Sequence, residues 1–214
     1  MPAVNSVAAL VAAYVAQAVK TVRTVVVDYE VELTGPIADY FNGDGSSGAV
    51  RATFQRAIRG YAKDAYIEGI RDGKGNAEDF DDEDADVVDA WIDEQLSHVD
   101  GLIDALRATE GAQDRTAAQQ GILTRVRYWV NALADLGGRG KLRAMEGEMA
   151  YWRLGYTEVH CDDCLRNSRA RPKRIRKWID GGTLPRSYDL KCGGYNCDCT
   201  LRSARTDRIL YPVN

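Results

Sequence analysis

The sequence predicts a mainly α-helical protein, in which a helical body is followed by a small Cys-rich α+β module at the C-terminus. Two observations predict this fold class. Apolar residues recur at steps of three and four as far as residue 152, which is the period of helices that bury one face. After Gly155 the segments become short, Pro and Gly interrupt them, and all five cysteines lie in this part of the chain. A chain of 214 residues suits one domain with a small appendage.

The first predicted helix carries a continuous stripe of valine and alanine side chains. Such a helix either packs on its own domain or docks on a partner subunit, because small side chains leave a smooth face that a partner can approach closely. Pro36 and the Gly-rich stretch 42–48 are expected to end it. We therefore predict an N-terminal docking helix and hinge over residues 1–45. The stripe consists of Val4, Val7, Ala8, Val11, Val15, Ala18, Val19, Val22 and Val26.

The N-terminal region does not predict a membrane segment. Asn5, Ser6 and Gln17 interrupt the apolar run, and Lys20 and Arg23 limit its length, so a span of about 18 apolar residues is missing. No basic segment precedes the run, which argues against a secretory signal. We expect a protein that stays in a cytoplasm, where reducing conditions favour thiols or metal ligands over disulfides.

Two helices are predicted in the first half of the helical body, which we assign to residues 46–154. One has its apolar face between Val50 and Ile70 and ends at the glycines of 73–75. The other begins after the acidic run 78–86 and carries an apolar stripe over 88–106. Carboxylates are favoured in the first turn of a helix. The acidic run therefore predicts a solvated helix start, not a metal cage.

Two further helices are predicted in the second half of the body. One covers residues 116–136 and is expected to stop at the glycines of 137–140, because glycine is a poor helix former. A shorter helix is predicted over residues 141–152 around Leu142, Met145 and Met149.

Charge is distributed unevenly along the chain, although the formal net charge is only −4. Residues 78–110 carry thirteen acidic side chains and one basic side chain, whereas residues 161–214 carry six acidic and twelve basic side chains. This layout is more typical of assembly than of catalysis. Surfaces of opposite sign would also allow copies of the chain to associate head to tail.

Residues 155–214 form the predicted Cys-rich basic module. Within it, residues 174–179 predict a short strand or one helical turn, and residues 200–204 predict a final strand. A unit of this size buries little apolar surface and usually needs disulfides or a metal ion for stability. The cysteines are the candidates for that role.

The spacing of the cysteines supports a structural metal site. A Cys-x-x-Cys turn presents two sulfurs to one tetrahedral zinc ion. We predict that Cys161, Cys164, Cys197 and either Cys192 or Cys199 bind zinc. His160 adjoins the turn and is either a ligand or an orienting residue. The alternative is a thiol cluster without metal, either buried or able to form disulfides.

A basic segment lies between the two groups of cysteines. Clustered cations suit the phosphate backbone of DNA, and such contacts position a protein without reading sequence. The alternative is a solvated loop that pairs with the acidic helix of a neighbouring copy. The residues predicted to contact DNA are Arg169, Arg171, Lys173, Arg174, Arg176 and Lys177.

Motifs of several common enzyme classes are missing from the sequence. It contains no Gly-x-Ser-x-Gly, no Gly-x-x-x-x-Gly-Lys and no His-Glu-x-x-His. A redox role for the Cys-x-x-Cys turn is disfavoured because no βαβ pattern precedes it. We therefore predict a protein that is not an enzyme.

Three segments of the C-terminal module together resemble a known signature. They are His-Cys-Asp-Asp-Cys at 160–164, Arg-Lys-Trp-Ile-Asp-Gly-Gly-Thr-Leu-Pro at 176–185, and Leu-Lys-Cys-Gly-Gly-Tyr-Asn-Cys-Asp-Cys-Thr-Leu at 190–201. They are similar to the C-terminal signature of tailed-phage minor head proteins, the Mu F-like head-morphogenesis family. Helical segments upstream also resemble this family, so that the likeness spans about residues 50–201.

The resemblance implies a non-enzymatic virion component, present in few copies or as an oligomer in the head interior near the portal and assembled in the host cytoplasm. Its implied partners are the portal or major capsid protein and the DNA backbone, in head morphogenesis and DNA packaging or delivery. The chain ends soon after Leu201, so no fused enzymatic domain is expected. The alternative function is a zinc-stabilised nucleic-acid-binding module that acts in the host cell.

Overall fold

A computed structural model describes residues 21–157, 159–187, 189–193 and 197–212 of the chain. It confirms the fold class, because helices form the body and a small antiparallel sheet lies in the C-terminal module beside the cysteines. The N-terminal stripe from Val4 to Val19 lies outside the described residues. None of the helices in the described part is long and apolar enough to cross a membrane.

The body contains five α-helices within the described residues. They are α1 (Val22–Asn42), α2 (Ser47–Asp72), α3 (Asp82–Ser97), α4 (Val99–Arg107) and α5 (Arg115–Ala144). A single 3-10 turn, Ala77–Asp79, lies between α2 and α3.

In its described residues, the C-terminal module combines four short strands with two short helices. In chain order they are β1 (Met149–Arg153), α6 (Asp162–Ser168), β2 (Lys173–Arg174), α7 (Ile175–Ile179), β3 (Thr200–Ser203) and β4 (Ile209–Tyr211). The sheet order is β2-β1-β3-β4, and every neighbouring pair is antiparallel. Segment 174–179 therefore contains both predicted forms, the end of a strand and one helical turn.

Helix α1 continues through Pro36 as far as Asn42, so the predicted end at the proline is wrong. A proline in a helix interior removes one backbone hydrogen bond. Here Leu33 and Ile37, on either side of the proline, are fully buried, and their packing keeps the helix intact. Gly43 ends the helix in the left-handed conformation, with φ at 89°. The described part of the N-terminal helix thus packs on its own body.

The acidic run 78–86 leads into α3, which begins at Asp82, as predicted, and within the run only the Asp84 side chain is buried. The Asp81 side chain accepts a hydrogen bond from the Asp84 backbone N–H, and the Asp84 carboxylate accepts one from the Asp81 N–H. This reciprocal arrangement is a capping box formed by two aspartates. The apolar stripe beyond it forms two helices instead of one, because the helical pattern is interrupted at His98.

Helix α5 continues through the glycines of 137–140, which were predicted to stop it. These glycines allow a close crossing with α2 instead. A Cβ added to Gly69 would collide with the backbone carbonyl of Gly137, and one added to Gly140 would collide with the carbonyl of Tyr66. The helix persists because only residues without side chains allow the two backbones to approach this closely.

The predicted helix over residues 141–152 is also wrong, because the chain forms strand β1 from Met149. Side chains alternate along this strand, with Ala150 and Trp152 buried and Met149 and Arg153 exposed. Pairing with β2 on one side and β3 on the other satisfies the backbone of β1.

Two hydrophobic clusters divide the interior formed by the described residues. The first is formed by the body helices and extends as far as Leu136 on α5. The second begins at Leu142 on the same helix and includes Trp152, Trp178 and Leu201 of the module. Helix α5 therefore contributes to both cores and joins the module to the body.

Candidate metal centre

The fold brings both groups of cysteines to one place beside the sheet. Arg153 of β1 and Thr200 of β3 are paired residues, so the chain leaving β1 and the chain entering β3 lie next to each other. Cys161 is the N-cap residue of α6, and Cys164 lies in its first turn. Cys199 immediately precedes β3. Residues far apart in sequence therefore meet because two strands pair.

All six predicted donors take part in one connected cluster. The cluster contains three groups of residues, and within each group all potential ligand atoms lie within 4.8 Å of one another. The Sγ atoms of Cys161 and Cys164 are 3.5 Å apart, and Nδ1 of His160 lies 3.8 Å from Sγ of Cys199. The groups are Cys161, Cys164 and Cys192; Cys164, Cys197 and Cys199; and His160, Asp198 and Cys199.

The five cysteines all lie among the described residues, and the structure contains no disulfide between them. Sulfur and imidazole nitrogen are the ligands that zinc and similar metal ions prefer in structural sites. The cluster could therefore hold a metal ion, and its composition favours a soft or borderline cation over calcium or magnesium.

The thiols differ in how readily they ionise. Burial raises the pKa of Cys164 and of Cys197, although hydrogen bonding from the backbone of Arg186 partly offsets the effect at Cys197. Burial is the largest effect on Cys161 and opposes its ionisation, but hydrogen bonds from the backbone and side chains of Cys164 and Cys192 together outweigh it, so that the pKa of Cys161 is lowered. A cation in the cluster would favour the thiolate form of all three sulfurs.

Asp198 is a site residue that the sequence patterns did not predict. Its carboxylate accepts hydrogen bonds from the backbone N–H groups of Tyr156 and Thr157 and from the Thr157 hydroxyl. Burial opposes its ionisation, but these hydrogen bonds lower the pKa of Asp198 overall. A Cβ on Gly155 would collide with this carboxylate. Asp198 therefore anchors the loop that leads to His160.

Asp162 and Asp163 fix the other side of the cluster. The Asp163 carboxylate accepts a 2.7 Å hydrogen bond from the Lys191 backbone N–H, and the Asp162 carboxylate lies 2.8 Å from Lys191 Nζ. These contacts hold the chain before Cys192 against the N-terminus of α6. Because both aspartates are already engaged, they act as positioning residues for the sulfurs.

The basic segment divides into two groups. Arg169, Arg171, Arg174 and Lys177 are exposed and make no salt bridge within the described residues. Arg176 instead pairs with Glu146 and Asp180. Nζ of Lys173 lies 4.5 Å from the centre of the Trp178 ring. Four of the six predicted DNA-contacting residues are thus unengaged cations, which we call the free basic patch.

A cleft between the body and the module was not predicted from the sequence. Its volume is about 450 Å³, and its walls include Trp91 and Leu184. Asp135 also lines it, and burial raises the pKa of this carboxyl to about 6 although Arg186 and Arg139 lie nearby. One isolated aspartate in a helical pattern carries no signal of such an environment.

The chain matches no family model, no curated protein and no solved structure. The family assignment made from the C-terminal signature therefore stays a prediction. Support for any function comes from the residues of this chain and from their geometry.

Proposed function

We propose that the chain is a non-enzymatic minor head protein of a tailed phage, associated with the portal or capsid interior, whose C-terminal module is stabilised by zinc and contacts DNA phosphates. One observation carries the proposal. The two ends of the signature, 160–164 and 190–201, meet in a single cluster of metal-binding side chains. Residues that define the resemblance thus also form the module's most distinctive feature.

The chemistry of the cluster supports zinc as the metal. Zinc in structural sites is held by four sulfur or nitrogen ligands in a tetrahedron. The proposed ligands are Cys161, Cys164 and Cys197 with either Cys192 or Cys199, and the Cys164 sulfur lies within 4.8 Å of each of the other four sulfurs. The ion would cross-link α6 to the segment before β3, two parts of a module that has only a small hydrophobic cluster.

The free basic patch supports contact with DNA. Its four cations are exposed, and no carboxylate of the described chain neutralises them. A patch of this kind binds phosphates irrespective of base sequence, which suits a protein that must contact packaged DNA anywhere along its length.

The head assignment is tested by partners and location. The neighbouring genes should encode portal and major capsid proteins. When the chain is co-expressed with the tagged portal protein encoded by the neighbouring gene, it should elute with the portal in size-exclusion chromatography. Mass spectrometry of purified particles should detect it in few copies. DNA binding without any incorporation into particles would instead indicate a module that acts in the host cell.

A further inference from the structure

The cluster contains more donors than one tetrahedral ion can use. Five sulfurs and the His160 imidazole converge, whereas a closed structural zinc site takes four ligands. Cys164 and Cys199 are buried, and the other three cysteines are partly buried. Two donors beyond the required four would therefore lie in the module without a metal ion to bind.

The sulfurs are arranged as two triads that share one member. We name Cys161, Cys164 and Cys192 the first triad, and Cys164, Cys197 and Cys199 the second triad. Two sulfurs on the same zinc lie about 3.8 Å apart, since each is about 2.3 Å from the ion. Each triad lies within 4.8 Å, and among the described residues no fourth cysteine joins either one at that separation. The donors thus surround two points, not one.

The geometry points to a two-zinc cluster in which the Cys164 thiolate bridges both ions. This inference rests on the proposed zinc site and extends it. The first triad holds one ion. The second triad holds the other. His160 Nδ1 lies 3.8 Å from Cys199 Sγ but outside the 4.8 Å group of the triad, and the imidazole would turn toward this ion to supply its fourth ligand. Cys164 is only 2% exposed, as the position between two ions requires.

The fourth ligand of the first ion is solvent. Cys161 and Cys192 are only partly buried, so water reaches this side of the cluster. Asp198 does not fill the position, because three hydrogen bonds already hold its carboxylate on the His160 side. The first ion is therefore the more exposed and the more easily exchanged of the two.

The experiment is a titration of the reduced, tag-free, full-length chain with cobalt(II), followed by zinc displacement. Cobalt–thiolate absorption should rise up to two equivalents per chain, and native mass spectrometry should find two zinc ions. A shared thiolate should couple the two cobalt ions magnetically, so that the moment per cobalt falls between one and two equivalents.

Two variants assign the ions to their ligands. Cys192→Ser leaves the first ion with two protein ligands, and the double variant Cys197→Ser/His160→Ala leaves the second ion with two. Each variant should retain one tightly bound zinc, with native far-UV circular dichroism as the folding control.

If the cobalt–thiolate absorption of the wild type stops rising at one equivalent of cobalt, the two-zinc inference is overturned and the proposed single zinc site is left intact. No binding at all would overturn both.

Discussion

Asp135 lies on α5 and lines the cleft between the helical body and the C-terminal module. Its Oδ1 atom is buried without a hydrogen-bond partner in the described chain. Burial raises the pKa of this carboxyl from an ordinary 3.8 to about 6, against the opposing effect of Arg186 and Arg139. The folded protein therefore binds the Asp135 proton more tightly than the unfolded chain does.

This difference predicts a loss of stability as pH rises. Between pH 4 and 6 the unfolded chain holds fewer protons at this position, so the free energy of unfolding falls with pH and the loss is complete above pH 6. Asp135→Asn should gain roughly 3 kcal/mol relative to wild type between pH 4 and pH 8. Urea denaturation at several pH values measures the difference in the free energy of unfolding between the two proteins. The contributions of the other titrating groups cancel in this difference. Parallel curves for the two proteins would contradict the assignment.

The six side chains of the candidate metal centre were predictable because their residue types and spacing carry the signal themselves. Asp198 was not, because its role depends on Gly155 and Thr157, which only the β1–β3 pairing brings near. The same holds for the division into two triads. Sequence spacing shows which sulfurs exist, whereas the distances between them depend on the fold.

At the scale of elements, the crossing of α2 and α5 depends on glycines whose neighbours lie on the other helix. Gly69→Ala should lower the free energy of unfolding by about 3 kcal/mol or more, because the new Cβ meets a backbone carbonyl that cannot move aside alone. Gly60→Ala on the same helix is the matched control. Nothing lies within 4 Å of its added Cβ, so this change should stabilise by about 1 kcal/mol. Equal effects in thermal or chemical denaturation would refute the close crossing.

Sequence patterns predicted the helices whose signals are local. The acidic run before α3 and the glycines after α2 work through their own helix ends. The patterns failed at Pro36 and at 137–140, where a residue unfavourable to helices is retained by contacts with another element. They failed again at β1, a strand defined by partners about 25 and 50 residues away in sequence. The errors therefore fall where tertiary packing outweighs local preference.

At the scale of the whole molecule, the two hydrophobic clusters predict that metal removal affects the module before the body. Each cluster contains two tryptophans, Trp91 and Trp129 in the body and Trp152 and Trp178 in the module. A chelator should shift the fluorescence of Trp152 and Trp178 toward that of exposed indole while most far-UV helical signal remains. The double variant W91F/W129F isolates the module signal, and W152F/W178F is its control. Unchanged module fluorescence on loss of metal would show that the module needs no ion.

DNA and the acidic helices α3–α4 of a second copy are the two candidate partners of the free basic patch. If its four cations bind DNA phosphates, replacing Arg169, Arg171, Arg174 and Lys177 with Gln should weaken binding to duplex DNA irrespective of sequence. It should also reduce the salt slope of log K by about 4, since each phosphate contact contributes about 0.9. The matched control replaces four exposed body arginines, Arg23, Arg59, Arg125 and Arg127, with Gln and changes the net charge equally. Fluorescence anisotropy from 50 to 200 mM salt gives both slopes.

Equal losses of DNA affinity in the patch variant and the control variant would show that the effect comes from net charge alone. If the patch variant instead abolishes self-association in sedimentation while DNA affinity is unchanged, the patch pairs with the acidic helices of a second copy.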